Sequence, residues 1–167
     1  GIKLEVLSHE ASLKKLRELM NYDALRAEQA ALRQQGIHRG IGFATVIELT
    51  NPSAAFYGVG GARIASQDGA TVRLDPEGDI TVMVGVGEQG QGTEGIYRQI
   101  AADAVGVDIH KVRIVTGDTD VTPYGGGTWA SRGAGIGGEA MLQAARALRE
   151  QVLQVAGVIL QAAPDTL

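Results

Sequence analysis

Two glycine clusters constrain the fold of this chain more than any other feature. The first spans residues 85–95 (GVGEQGQGTEG) and the second spans residues 125–138 (GGGTWASRGAGIGG). Glycine reaches positive φ angles and lets the backbone approach a ligand closely. Each cluster lies directly before an apolar stretch with helical spacing, so we predict two loops that each lead into a helix and that together handle a ligand.

The N-terminal part of the chain has the pattern of a helical segment. Residues 10–36 carry leucines at three- and four-residue spacing, interrupted at Asn21, and Gly36 ends the pattern. Most faces of these two predicted helices are polar, so we expect the helices to pack against a larger domain. Residues 39–50 (RGIGFATVIELT) are rich in β-branched and aromatic residues, which predicts a strand.

The following segment alternates strand and helix patterns. Residues 70–75 and 79–85 predict a hairpin around the turn at Pro76-Glu77-Gly78. A helix is predicted over 93–105, ending at Gly106, and a short strand over 112–115.

The C-terminal part predicts a long loop and then a long helix. Residues 117–127 are expected to form the loop, and the helix runs from Ile136 to about residue 163, where Pro164 stops it. The order of elements predicts an α/β (α+β) fold in which N-terminal helices precede a mixed sheet with packed helices. We divide the chain into a helical segment, 1–36, and a domain portion, 37–167.

Composition excludes several kinds of site. The chain contains no cysteine, so disulfides, cysteine-ligated zinc and iron–sulfur clusters are excluded within it. The net charge is −4 and no basic stripe is present, which argues against nucleic acid as a partner. The sequence has no apolar run long enough to span a bilayer. We therefore expect a cytoplasmic protein without a membrane partner, and the scattered histidines predict no metal site.

The first glycine cluster allows two interpretations from its local sequence. Residues 85–90 and 90–95 both match G-x-G-x-x-G, the pattern of a dinucleotide-binding loop. That pattern expects an acidic residue about 20 positions further on, and the natural candidate, Asp118, lies later than this. The alternative is a tight strand-to-helix connection that binds nothing. Against it, Gln89 and Gln91 are flanked by glycines and have amide groups that can donate and accept.

The second cluster has the composition of an anion-binding loop. Thr128, Ser131 and the backbone N–H groups of 130–135 can form a nest, with the dipole of the following helix behind it. We expect the Arg132 side chain to be exposed to solvent. Trp129 is the only tryptophan, and it is equally compatible with a core residue and with the wall of a ligand site.

Several motifs in a fixed order now identify a family. The stretch GQGTEGIYRQIAADAVGVDIHKVRIVTGDTDVTPYGGGTWASRGAGIGGEAM resembles the molybdopterin-binding large subunits of the xanthine dehydrogenase, aldehyde oxidase and carbon monoxide dehydrogenase family. The resemblance implies that this chain is part of the family's molybdenum-cofactor-binding domain. It also implies a catalytic position beside the molybdenum for Gln91. The residues that the resemblance assigns to cofactor binding are Gln89, Gly90, Gln91, Gly92, Thr128, Trp129, Ala130, Ser131 and Gly133.

The resemblance further implies a reaction and its partners. Enzymes of this family hydroxylate an aldehyde or an N-heterocycle with water, and the cofactor is molybdopterin, in bacteria expected as the cytosine dinucleotide form. The electrons leave through 2Fe-2S clusters and FAD on iron–sulfur and flavin subunits. We find no counterpart of the family's catalytic glutamate loop, and Glu88, Glu94 and Glu139 are not candidates for that role. The isolated chain is thus expected to be inactive, as a fragment or one subunit of a split assembly that needs the remaining segments of the molybdenum subunit.

Two other functions remain open from the residues alone. The chain could be a non-catalytic interaction module whose loops are empty, which fits the polar N-terminal helices and the missing glutamate. It could also be a dinucleotide-binding oxidoreductase domain, which would require a parallel strand–helix–strand unit between Ile80 and Val115.

Overall fold

The computed structural model describes residues 7–53, 55–57, 63–64 and 66–167. Contacts between backbone segments divide the chain into two compact units, one ending at Ile47 and the other running from Glu48 to Leu167. The first unit therefore includes residues 37–47 in addition to the helical segment.

The first unit contains the two helices that the leucine spacing predicts. Helix α1 spans His9–Leu19 and helix α2 spans Tyr22–Gln34, with Asn21 between them at a φ of 49°. No residue of α1 is buried, and Gln29 is the buried residue of α2. Its amide donates to the carbonyl oxygen of Arg39 over 2.5 Å. The leucine-bearing face of α1 is therefore exposed along with its polar faces.

The predicted strand at residues 39–50 is wrong. These residues adopt no regular secondary structure, and their apolar side chains are open to solvent, as Val46 (78% exposed) and Ile47 (59% exposed) illustrate. A strand forms only where a neighbouring strand pairs its N–H and C=O groups, and β-propensity does not supply that neighbour. High β-propensity is therefore not sufficient to predict a strand here, because the pairing on which a strand depends is not encoded locally.

The second unit is built on a three-stranded sheet. Strands β1 (Ala70–Leu74) and β2 (Ile80–Val84) pair antiparallel, and β3 (Val112–Val115) pairs parallel to β2, in the order β1-β2-β3. Val82 stands opposite Val72 on one side and Ile114 on the other. The predicted hairpin and the predicted third strand are both confirmed.

Two helices cover this sheet. Helix α3 spans Thr93–Val105 and ends at Gly106, whose φ is 88°. Helix α4 spans Gly138–Leu160 and follows a π-helix at Gly133–Gly137. Short 3₁₀-helices lie at Ile109–Lys111 and Pro164–Thr166. The hydrophobic core joins sheet and helices through Ile80, Val82, Val84, Val86, Tyr97, Ala101, Ala102, Val112, Ile114 and Met141. This arrangement confirms the predicted α/β (α+β) class.

The apolar side of α4 is buried only along its first half. Met141 and Ala145 have no exposed surface, whereas Val155 is 60% exposed and Ile159 is 73% exposed. The helix also ends at Leu160, slightly before the predicted end, because Gln161 takes a left-handed conformation. Among the described residues, no helix combines the length and the apolarity that crossing a bilayer requires.

Candidate functional site

The two glycine loops meet at one cleft of about 470 Å³. The side chain of Gln89 donates to the carbonyl oxygen of Thr128 over 3.3 Å, and the Thr128 hydroxyl donates to the carbonyl oxygen of Gly87 over 2.7 Å. Gln91 and Ser131 therefore face the same space although they come from different loops. The cleft is lined by Glu48, Gln89, Gln91, Thr93, Ile96, Thr128, Trp129, Ala130, Ser131, Arg132, Gly133 and Ala134.

The first loop is closed around a carboxylate of its own. The half-buried Glu88 accepts hydrogen bonds from the backbone N–H groups of Gln89, Gly90, Gly92 and Glu94, at 2.7 to 3.1 Å. The N–H of Glu94, followed by those of the other three residues, holds the pKa of Glu88 below its usual value. Two amides at the start of α3, those of Gly92 and Glu94, could have bound an anionic ligand and are already satisfied.

The side chain of Gln91 is also engaged within its loop. Its amide oxygen accepts from the N–H of Gln89 over 2.6 Å. Its amide nitrogen donates to the hydroxyl of Thr93 over 2.5 Å and to the carbonyl oxygen of Gly87 over 3.3 Å. The neighbouring Gly90 and Gly92 have φ angles of 95° and 83°, which glycine adopts without strain. These contacts fix the position of Gln91 on the wall of the cleft.

A parallel strand–helix–strand unit does exist between Ile80 and Val115, so this feature does not exclude a dinucleotide site. The first loop nevertheless differs from a dinucleotide-binding loop in its electrostatics. A pyrophosphate would need the amides at the start of α3, and the Glu88 carboxylate takes them and adds a negative charge. The G-x-G-x-x-G pattern here marks a self-capped helix start.

The second loop has the opposite character, because its backbone is strained and open. Ala130 and Ser131 have φ angles of 49° and 51°, a region that costs a residue with a side chain about 1–2 kcal/mol. A π-helix, a form that often marks functional sites, follows directly at Gly133–Gly137. The carbonyl oxygen of Ala130 accepts the N–H of Asn51 over 2.8 Å.

This loop also presents unsatisfied donors to the cleft. Within the part of the chain that the structure describes, the N–H groups of Ser131, Gly133, Ala134 and Gly135 donate to no protein acceptor. The hydroxyl of Ser131 donates to the exposed carboxylate of Glu48 over 3.2 Å. Free N–H groups ahead of a long helix form a neutral site that favours negative charge.

The expectation that the Arg132 side chain is exposed is wrong. Arg132 and Asp68 are both fully buried, and Nη2 of the guanidinium lies 3.0 Å from Oδ2 of the carboxylate. Burial raises the pKa of Asp68, while the N–H of Gly126 and the charge of Arg132 oppose that rise. No local signal marks Arg132 as buried, because its partner lies in a distant segment of the sequence.

Trp129 is both packed against other aromatic residues and exposed to the cleft, so it combines the two roles that its sequence position allowed. Its ring lies 5.8 Å from that of Phe56 and 5.9 Å from that of Tyr57, centroid to centroid, and its indole N–H donates to Gly126 over 2.9 Å. The same side chain is half exposed along the cleft. Trp129 is therefore both a packing residue and a wall of the site.

Some of the glycines serve packing rather than ligand contact. A side chain at Gly137 would collide with the hydroxyl of Tyr97 and would lie 2.8 Å from a methyl group of Val86. A side chain at Gly85 would lie 2.8 Å from the backbone nitrogen of Gly125. These close approaches allow the start of α4 and the second loop to pack directly against the sheet.

In the described part of the chain, no three His, Asp or Glu side chains are grouped as metal ligands would be.

Comparison with known proteins gives one family. A family model described as "Molybdopterin cofactor-binding domain" matches residues 15–167. The chain is 30% identical over its whole length to the nicotine 6-hydroxylase large subunit of Paenarthrobacter nicotinovorans and covers 20% of that protein. It is 31% identical to the carbon monoxide dehydrogenase large chain of Hydrogenophaga pseudoflava, with 96% of this chain and 20% of the relative covered.

A solved structure agrees with these relatives. The crystal structure of quinoline 2-oxidoreductase from Pseudomonas putida 86 matches 91% of this chain at 40% identity and a TM-score of 0.62. The match covers 19% of the solved chain. The present chain thus spans about a fifth of the length of the proteins that it resembles.

Proposed function

Because this chain belongs to the molybdopterin cofactor-binding domain family, we propose that the cleft between its two glycine loops holds the pterin of a molybdenum hydroxylase. The observation that carries the proposal is the convergence of Gln91 and Ser131, from separate loops, on one cleft. A volume of about 470 Å³ lies within the usual range of ligand pockets.

The chemistry of the donors fits such a ligand. A pterin carries ring N–H and C=O groups together with an anionic phosphate, so it needs neutral donors and acceptors and one site for negative charge. The free N–H groups of Ser131, Gly133 and Ala134 supply the anion site, and the amide of Gln89 and the hydroxyl of Thr128 supply neutral partners. Trp129 provides an apolar wall for a ring. The Glu48 carboxylate must turn away from Ser131 when an anion binds.

The two loops divide the cofactor between them in this proposal. Gln89 and Gln91, flanked by Gly90 and Gly92, face the metal end, while Thr128, Trp129, Ala130, Ser131 and Gly133 hold the pterin and its phosphate. Both hydrogens of the Gln91 amide nitrogen are used in its loop. Gln91 can therefore donate to the cofactor only by releasing Gly87 or Thr93. A neutral amide suits this place because it orients a polar ligand without adding a charge.

The reaction that we propose is the hydroxylation of an aldehyde or N-heterocycle. When bound, the molybdenum cofactor supplies a two-electron acceptor, while water supplies the oxygen atom. The residues of this chain bind and orient the cofactor, and Trp129 excludes water from one side of the cleft. Two of the relatives are named for nicotine and quinoline, both of which are N-heterocycles. We further propose the cytosine dinucleotide form of the cofactor, and 2Fe-2S and FAD on partner subunits.

The experiment is to measure molybdenum and pterin in the chain purified with the remaining segments of its subunit. We expect bound cofactor in the wild type and a loss of roughly tenfold in affinity for Ser131→Ala and for Gln91→Glu, which removes a donor and adds a charge. Gln99→Ala is the matched control, because Gln99 bonds only to Gly95 within α3. Empty wild-type loops, even with all partner segments present, would favour the interaction module; unchanged cofactor in both site variants would refute the assigned residues.

A further inference from the structure

A buried ion pair lies directly beneath the second loop. The side chains of Asp68 and Arg132 have no exposed surface, and their charged groups are 3.0 Å apart. Because both side chains are buried, neither charge can touch a ligand in the cleft. An effect of the pair on the cleft therefore passes through the backbone that it binds.

The pair binds the backbone of the loop at several points. The Arg132 guanidinium donates to the carbonyl oxygens of Gly127 over 2.9 Å and of Gln67 over 3.4 Å. The Asp68 carboxylate accepts the N–H of Gly126 over 2.7 Å. The guanidinium carbon also lies 5.7 Å from the centre of the Trp129 ring. These contacts tie both ends of the 126–132 segment to one buried charge centre.

The tied segment contains the two strained residues of the cleft. Ala130 and Ser131 keep their positive φ angles between the bond from the Arg132 side chain to Gly127 and the start of the π-helix. A strained backbone persists only where its surroundings fix it from more than one side. Ser131, Gly133 and Ala134, whose N–H groups donate to no acceptor among the described residues, line the cleft directly at and after this turn.

Stability alone is a poor reason for such a pair. Burial raises the pKa of Asp68, which means that the ionised carboxyl is less favourable here than in water. Buried ion pairs can often be replaced by uncharged side chains of similar size without loss of stability. What an apolar pair cannot supply is the guanidinium's simultaneous donation to two carbonyl groups.

We propose that Asp68 and Arg132 are positioning residues, which hold residues 126–132 in the one conformation that turns the free N–H groups into the cleft. This inference rests on the proposed function, since it concerns how the same cleft is shaped. It differs from that function in assigning a role to two side chains that are fully buried and touch no ligand in the cleft.

The test compares single and double variants of the chain purified with the remaining segments of its subunit. Arg132→Met and Asp68→Asn each leave an uncompensated partner, while Asp68→Asn combined with Arg132→Met removes both charges and keeps an acceptor for Gly126. Pterin per folded chain and the denaturant midpoint of unfolding are measured for each. We expect pterin affinity to fall roughly tenfold in every variant. In the double variant, the denaturant midpoint should return towards that of the wild type, whereas the pterin affinity should stay low.

Two controls separate this inference from a general loss of stability. Val82→Ala removes core packing in β2 away from the loop, so it should lower the midpoint and leave pterin per folded chain unchanged. The fluorescence of Trp129, the only tryptophan, should shift in Asp68→Asn, which does not alter the ring's own contacts. Recovery of pterin together with stability in the double variant would overturn the proposal.

The positioning role can be tested even if the chain does not bind the cofactor. A wild-type chain without pterin would contradict the proposed function, and the fluorescence emission of Trp129 would then test the positioning role alone. A shifted emission in folded Asp68→Asn supports the positioning of the loop, and an emission identical to that of the wild type overturns it.

Discussion

The two glycine loops look alike in sequence and are opposite in physical character. In the first loop, the half-exposed carboxylate of Glu88 satisfies the N–H groups around it, and its pKa is lowered. In the second loop, the carboxylate of Asp68 is buried beneath the backbone and accepts the N–H of Gly126, and its pKa is raised. The N–H groups of Ser131, Gly133 and Ala134 donate to no acceptor among the described residues. One loop is therefore a closed support for Gln91, and the other leaves backbone N–H donors open to the cleft.

This difference teaches that glycine content alone does not locate an anion site. What decides is whether a carboxylate takes up the backbone N–H groups of the loop. Glu88 is adjacent in sequence and folds onto its own loop, whereas Asp68 belongs to another segment and can only reach the second loop from below, together with Arg132. The free donors are left where no carboxylate of the same loop competes for them.

The largest expected effect is on the buried pair. Arg132→Met leaves Asp68 without its counter-charge and removes the bonds to Gly127 and Gln67, so the free energy of unfolding should fall by about 3–5 kcal/mol. Urea unfolding followed by circular dichroism measures this loss. A change below about 1 kcal/mol would mean that the second loop does not depend on the pair, and the contrast with the first loop would fail.

The next effect concerns the close packing that brings the second loop onto the sheet. Gly137→Ala would press a methyl group against Tyr97 and Val86, both without exposed surface, and should destabilise by about 1–3 kcal/mol. Gly95→Ala in α3 is the matched control, because a side chain there meets nothing within 4 Å and should stabilise by about 0.5–1 kcal/mol. The two midpoints in urea should move in opposite directions.

A smaller effect should come from relieving backbone strain in the second loop. Ala130→Gly removes the side chain at a φ of 49°, and the gain is partly offset by the greater freedom of glycine when unfolded. We expect a stabilisation of about 0.5 kcal/mol in thermal unfolding. A loss of stability would show that the left-handed conformation at this residue is not strained, and the second loop would then resemble the first.

The smallest effect concerns Glu88 and depends on pH. Its lowered pKa means that the stabilisation is present above the ordinary value of 4.5 and is lost as the pH falls through the lower pKa of the folded state. Glu88→Gln keeps an acceptor but no charge, so its melting temperature should lie below that of the wild type at neutral pH and approach it in acid. A difference that does not change with pH would contradict the self-capped description of the first loop.

The sequence was sufficient for the elements of the second unit. The turn at Pro76-Glu77-Gly78, the stop at Gly106 and the apolar spacing of α3 are local signals, and the hairpin, the helices and the third strand follow from them. The strand expected at 39–50 failed because pairing is not a local property. The apolar spacing of α4 likewise gives no information on burial, since Val155 and Ile159 on its outer half are exposed.

The convergence of the two loops was predictable from the sequence, but the electrostatics of the cleft were not. Gln89, Gln91, Thr128 and Ser131 were chosen from residue type and loop position, and the structure brings them to one cleft. The role of Glu88 could have been inferred from its position before α3, where a carboxylate caps a helix. The pairing of Asp68 with Arg132 had no such signal, since two distant charged residues reveal their contact only after folding.

Amide hydrogen exchange with and without the molybdenum cofactor tests the central claim most directly, because it reads both loops in one experiment. The account predicts that loading the cofactor protects the N–H groups of Ser131 and 133–135, and that those of Gln89, Gly90, Gly92 and Glu94, already bonded to Glu88, change little. Protection that appears around Glu88 and is absent at 131–135 would contradict it.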